Sequence, residues 1–97
     1  MHILYAYYAM TIEFDPDKAA DNLKKHKVSF VDTEQVLRDQ CAVTIEDRDA
    51  IGEVCLVTIG TDSMGRILIV VHIEHGSKTR IISPRKASKG EAKAYHA

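Results

Sequence analysis

Arginines at three positions and a histidine set among lysines are the residues of this 97-residue sequence best suited to act on a phosphate. A guanidinium presents a planar fork that binds phosphate oxygens in pairs and keeps its proton at any physiological pH. Arg66, Arg80 and Arg85 each fall on or beside a stretch that reads as a β-strand, where a side chain is held more rigidly than on a loop. His26 stands in the run Lys24-Lys25-His26-Lys27, and an imidazole there is a candidate for moving a proton. The same run also suits the C-terminal end of a helix dipole. Taken singly, an arginine on a strand face is more often solvated or ion-paired than catalytic.

Other constellations are weaker. Glu46, Asp47, Asp49 and Glu53 form an acidic cluster without the spacing of a calcium loop, so a solvated loop is the expectation and no metal or cofactor is called for. There is no glycine-rich phosphate loop, no G-x-S-x-G elbow and no H-E-x-x-H. His72 in mid-strand reads as packed beside an aromatic or hydrogen-bonded rather than catalytic, while His2, His75 and His96 lie near ends or in a turn. Cys41 and Cys55 are too few and too far apart for a redox motif, a zinc ribbon or a disulfide scaffold, which points to a reduced, cytoplasmic compartment.

The elements that must position these residues are legible in the pattern. Thr11 to Phe14 alternates as a short strand. Asp15 then occupies an N-cap position, with Pro16 opening a helix that ends near His26 or Lys27. Ser29 and Asp32 resemble a capping box for a second helix to about Arg38, with Val36 and Leu37 turned inward. From Ala42 the period becomes two: Ala42 to Glu46, Glu53 to Ile59, Arg66 to Glu74 and Thr79 to Ser83 read as strands. Their short connections make an antiparallel meander. Ser88 with Glu91 opens a C-terminal helix to about His96. The fold class is therefore α+β: a small antiparallel sheet with two N-terminal helices and one C-terminal helix. Within Arg66 to Glu74, Ile67, Ile69, Val71 and Ile73 are expected on the core side, leaving Arg66, Leu68, Val70, His72 and Glu74 on the other. On the last strand, alternation places Arg80 and Ile82 opposite to Ile81, Ser83 and Arg85. Across the hairpin, Arg66, Arg80, Arg85 and the His26 run would then surround one open sheet face.

Ninety-seven residues suffice for one domain, read here as residues 10–97, with 1–9 as an extension that is either an addition upstream of Met10 or an extra edge strand. A composition 45% hydrophobic and 28% charged excludes a disordered tail or a fibre. No apolar run approaches the roughly 18 residues of a membrane span. The formal net charge of -1 would disfavour a nucleic-acid partner, but it hides a strong asymmetry. Residues 32–62 carry eight acids and two bases, whereas residues 78–97 carry six bases and one acid.

An ordered set of fragments is specific where each alone is weak. Phe14-Asp15-Pro16-x-Lys18-Ala19, Asn22-x-x-Lys25-His26-x-Val28-Ser29-Phe30, Gly52-Glu53, Thr58-Ile59-Gly60, Gly65-Arg66-x-x-x-Val70-Val71 and Arg80-Ile81-Ile82-Ser83-x-Arg85-Lys86-Ala87, with Glu91 and Tyr95, together resemble the BrnT-type toxins of bacterial type II toxin-antitoxin systems. The resemblance implies a RelE-like fold, a metal-independent ribonuclease activity that arrests translation, and an antitoxin of the BrnA type. That antitoxin would carry a ribbon-helix-helix part through which operator DNA is bound. The sequence departs from the family pattern at Pro84, at Val54-Cys55 and at His75. Pro84 removes a ladder donor and is expected to bend the last strand just before Arg85.

On that resemblance, Arg80 and Arg85 would stabilise phosphate charge, Arg66 would clamp substrate, and His26 with Lys25 would move protons as the RNA 2′-hydroxyl attacks. The competing expectation is a binding module of little activity, in which the acidic stretch from Asp32 to Asp62 meets a basic antitoxin helix and the pair represses its operon.

Overall fold

A computed structural model describes residues 3–7, 10–47 and 54–96. Its elements are β1 (Ile3–Tyr7), β2 (Met10–Phe14), α1 (Pro16–His26), α2 (Phe30–Leu37), β3 (Val43–Asp47), β4 (Cys55–Thr61), β5 (Ile67–His75), β6 (Lys78–Lys86) and α3 (Lys89–Tyr95). The six strands form one sheet in the order β1-β2-β6-β5-β4-β3. The meander β3 to β6 is antiparallel as its short turns require, and β1 joins β2 as an antiparallel edge strand. One pair departs from the antiparallel pattern: β2 lies parallel to β6, with Thr11, Ile12 and Glu13 opposite Lys78, Thr79 and Arg80. The chain between them, through α1, α2 and strands β3 to β5, is far longer than the crossover that a parallel pair needs.

Local chemistry sets the helix ends. The Asp15 carboxylate accepts from the Asp17 N–H at 2.9 Å, and Pro16 occupies the first turn. Lys27 ends α1 in the left-handed conformation (φ 59°), its N–H donating to the Leu23 carbonyl at 3.0 Å. Ser29 and Asp32 cap each other at 2.8 and 3.3 Å, and Ser88 and Glu91 do the same at 2.9 and 3.2 Å.

The two N-terminal helices pack on one face of the sheet, where Val28, Val36, Leu68 and Val70 form the core with Leu37 and Ile81 against it. This reverses the expected facing of β5. Leu68, Val70 and His72 are turned toward the helices, and Ile67, Ile69, Val71 and Ile73 lie on the other side. The reason is that β5 is a central strand with apolar residues on both faces, so alternation alone does not say which face the helices cover. At Gly60 on β4 the helix comes so close that an added Cβ would stand 3.0 Å from the Val36 carbonyl oxygen.

Candidate nucleic-acid interface and active site

The arrangement of β6 decides which arginines can act together. From Lys86 back to Ser83 it pairs regularly with β5, Arg85 opposite Ile69 and Ser83 opposite Val71. Ile81 then lies opposite His72 and Arg80 opposite Ile73. Ile82 is the extra residue of a β-bulge. Ile81 and Ile82 both turn to the helix side and line the crevice against α1 and α2. The consequence is that Arg80, Ser83 and Arg85 share the face away from the helices, although strict alternation places Arg80 and Arg85 on opposite faces. Pro84 is buried opposite Val70 on the helix side, and β6 continues past it to Lys86. The expected bend falls at Ile82 instead. Because β2 pairs only as far as Arg80, the outer edge of β6 is open at Pro84, where a missing donor is tolerated.

Each of these arginines is held by a carboxylate. Arg80 donates from Nε and Nη2 to Glu13 Oε1 at 3.2 and 3.0 Å. Arg85 forms a fork with Glu91 of α3, at 2.7 and 2.8 Å. The Arg85 fork, and next the Ser88 N–H, hold the Glu91 carboxyl at about 2. Their partners Ile69 and Ile73 are four positions apart on β5, which separates the two arginines by about 13 Å, so they would serve different phosphates rather than grip one.

Arg66 does not join that face. All three guanidinium nitrogens are used on the helix side: Nε donates to Asp62 Oδ2 at 2.7 Å, Nη2 to Asp32 Oδ2 at 2.9 Å and Nη1 to the Lys27 carbonyl at 2.8 Å. The expected ring of cations around one face is therefore not assembled. Arg66 instead binds the end of α1, the start of α2 and the β4–β5 hairpin to one another. Lys25 and His26 are exposed on the last turn of α1, next to the carbonyl that Arg66 holds. Arg66 immediately precedes β5, and Ile69 near its start pairs with Arg85, so Lys25 and His26 stand at the same end of the sheet as Arg85 but on the opposite, helix-covered face.

His72 is 3% exposed and lies in a hydrogen-bonded chain, so the expected hydrogen bonding is present, on the helix-covered side rather than the open face. A carboxylate only accepts, so the 2.9 Å contact with Glu74 Oε1 puts the proton on Nδ1, and Nε2 accepts from the Thr58 hydroxyl at 2.7 Å. Thr44 and Thr79 extend the chain at its two ends. Burial pushes the imidazole below its ordinary 6.5, with the Glu74 charge opposing in part. The unfolded chain therefore takes up this proton first as pH falls. The stability that depends on neutral His72 is complete above the ordinary value and is lost below it. The urea midpoint is expected to fall between about pH 7.5 and about pH 5.5, and to fall less in His72→Gln. An equal fall in the variant would place the titration elsewhere.

Sequence reasoning missed one hub. Asp39, just past α2, accepts from Tyr95 of α3, from the backbone and hydroxyl of Thr61, and from the Cys41 N–H. Its partners lie up to 56 residues away, and of them only Tyr95 stood in the motif set, so no local spacing pointed to Asp39. Asp49, Gly52, Glu53 and His2 lie outside the described residues. Among the described residues, no three His, Cys, Asp or Glu converge as metal ligands would. No helix among them is long and apolar enough to cross a membrane.

Residues 14–91 match the family model of the ribonuclease toxin BrnT of type II toxin-antitoxin systems. The chain belongs to the BrnT family. No curated protein matches it. The matched span contains Lys25, His26, Arg66, Arg80 and Arg85, together with the capping residues Asp15, Ser29 and Ser88. As a BrnT-family chain the protein is a ribonuclease toxin with an antitoxin partner.

Proposed function

We propose that this protein is a metal-independent endoribonuclease of the cytoplasm that inhibits translation by cutting RNA, and that a ribbon-helix-helix antitoxin of the BrnA type neutralises it. The observation that carries the reading is the bulge at Ile82, which sets Arg80 and Arg85 on one exposed face about two phosphates apart. RNA supplies its own nucleophile. The 2′-hydroxyl proton passes to a base, the 2′-oxygen attacks phosphorus, the P–O5′ bond breaks, and the leaving oxygen takes a proton. The products are a 2′,3′-cyclic phosphate and a 5′-hydroxyl. Arg85 would stabilise charge on the non-bridging oxygens at the cleaved phosphate. His26 and Lys25 stand at the same end of the sheet but on its helix-covered side, where they would hold the RNA strand beyond the cleaved phosphate. Arg80 would hold the neighbouring stretch of backbone. Arg66 supports the reaction by fixing the end of α1, rather than by clamping substrate.

A second reading has its own observation. Both arginines of the open face already carry a carboxylate partner, Glu13 or Glu91, and a chain that kept those pairs closed would serve chiefly to bind the antitoxin and repress the operon. Incubating antitoxin-free protein with RNA in excess EDTA separates the two. Fragments ending in 2′,3′-cyclic phosphate are expected; intact RNA would favour the binding reading. Expression of Arg80→Ala that arrests growth as strongly as wild type would remove Arg80 from the site.

A further inference from the structure

A crevice of about 460 Å³ lies between α2 and the β4–β5 hairpin, on the side of the molecule away from the arginine face, and the ribonuclease reading leaves it without a use. Val31 and Glu34 line it from α2, Arg38 and Asp39 from the residues just after that helix, and Asp62 from the hairpin wall. Glu34 is only 6% exposed, and its Oε1 has no hydrogen-bond partner. Natural folds rarely leave such an atom unsatisfied, because a sealed acceptor with no donor costs the full desolvation of that group. Burial raises the Glu34 carboxyl, with Arg38 opposing.

The other carboxylates of the crevice are committed. Asp39 serves Tyr95, Thr61 and Cys41, and Asp62 serves Arg66 and Met64. Three carboxylates face two guanidiniums here, Arg38 and Arg66, so at least one unit of negative charge is left over. That charge asks for a cation. No three ligands converge here for a metal ion, as stated above for the described residues, whereas Val31 at the rim is 55% exposed and offers apolar cover. An apolar rim beside a buried carboxylate oxygen that lacks a donor suits an aliphatic stem that ends in a charge. The wall also belongs to the segment 32–62 with its excess of acids, to which a basic partner would be drawn.

We infer that this crevice receives a lysine or arginine side chain of the antitoxin, its stem on Val31 and its charged head on Glu34. The terminal torsion of a glutamate is broad, so its free oxygen can turn to an entering donor. The inference rests on the reading above that an antitoxin binds this chain.

The test is antitoxin affinity. In Glu34→Gln the Kd for the antitoxin is expected to rise tenfold or more, and in Val31→Ala several-fold. The uncomplexed Glu34→Gln protein should melt above wild type at neutral pH, which excludes misfolding as the cause, and its RNA cleavage without antitoxin should be unchanged. Wild-type affinity in both variants would overturn the inference while leaving the antitoxin reading intact. Failure of wild-type protein to bind the antitoxin would overturn both. A rise in melting temperature on adding Mg²⁺ or Ca²⁺, lost in Glu34→Gln, would identify a metal-ion site and overturn it as well.

Discussion

Replacing Arg85 by alanine is expected to slow RNA cleavage a hundredfold or more, about 3 kcal/mol of barrier, the usual cost of removing one donor aimed at developing negative charge. Arg85 carries the larger expectation than Arg80 because its side chain is the more open to solvent and substrate, 45% exposed against 31%. Its side chain is 45% exposed and the Glu91 ion pair is a surface one, so the fold should tolerate the change with little loss of stability. Arg85→Lys keeps the charge and loses the fork, and is expected to fall between wild type and alanine. Single-turnover cleavage of an RNA oligonucleotide measures all three. Wild-type rates in Arg85→Ala would remove this side chain from the chemistry.

Arg66→Ala should act on stability instead. The Asp62 side chain that Arg66 neutralises is fully buried, with Asp32 beside it, and breaking a buried pair from one side costs about 3–5 kcal/mol. Small domains have only about 5–15 kcal/mol in total, so a large part of the molecule's stability depends on this one side chain. Arg66→Lys should recover part of the loss, since an ammonium can meet one carboxylate but cannot span Asp62, Asp32 and the Lys27 carbonyl. Urea unfolding gives the magnitude, and cleavage per folded molecule separates this role from catalysis. A loss below about 1 kcal/mol would show that the three contacts are replaceable by water.

Much of the fold could be read from the sequence because it is written locally. The caps at Asp15, Ser29 and Ser88 depend on residues two or three positions away, and each forms as its spacing indicates. The meander follows in the same way from period-two runs and short turns. What escaped the sequence depends on distant partners or on a single slip of register. The helix-covered face of β5 was hidden because Ile67 through Val71 is apolar on both sides. The bulge at Ile82 leaves no composition signal, and it alone reverses the relation between Arg80 and Arg85. The role of Arg66 was obscured because Asp32 lies 34 residues before it in the chain. The five candidate residues were thus visible as types, whereas their grouping belonged to the tertiary structure.

The parallel pairing of β2 with β6 also has a bearing on how the toxin is made. Glu13 and Arg80 are 67 residues apart in the chain, so the first-made half of the sheet must wait for almost the last-made strand. At about 5–20 residues per second, synthesis leaves β2 without its partner for about 3–13 s. Contacts of such separation also slow folding once the chain is complete. The face that carries Arg80 and Arg85 is thus among the last features to form during biogenesis, and a chain cut short before β6 would lack it altogether.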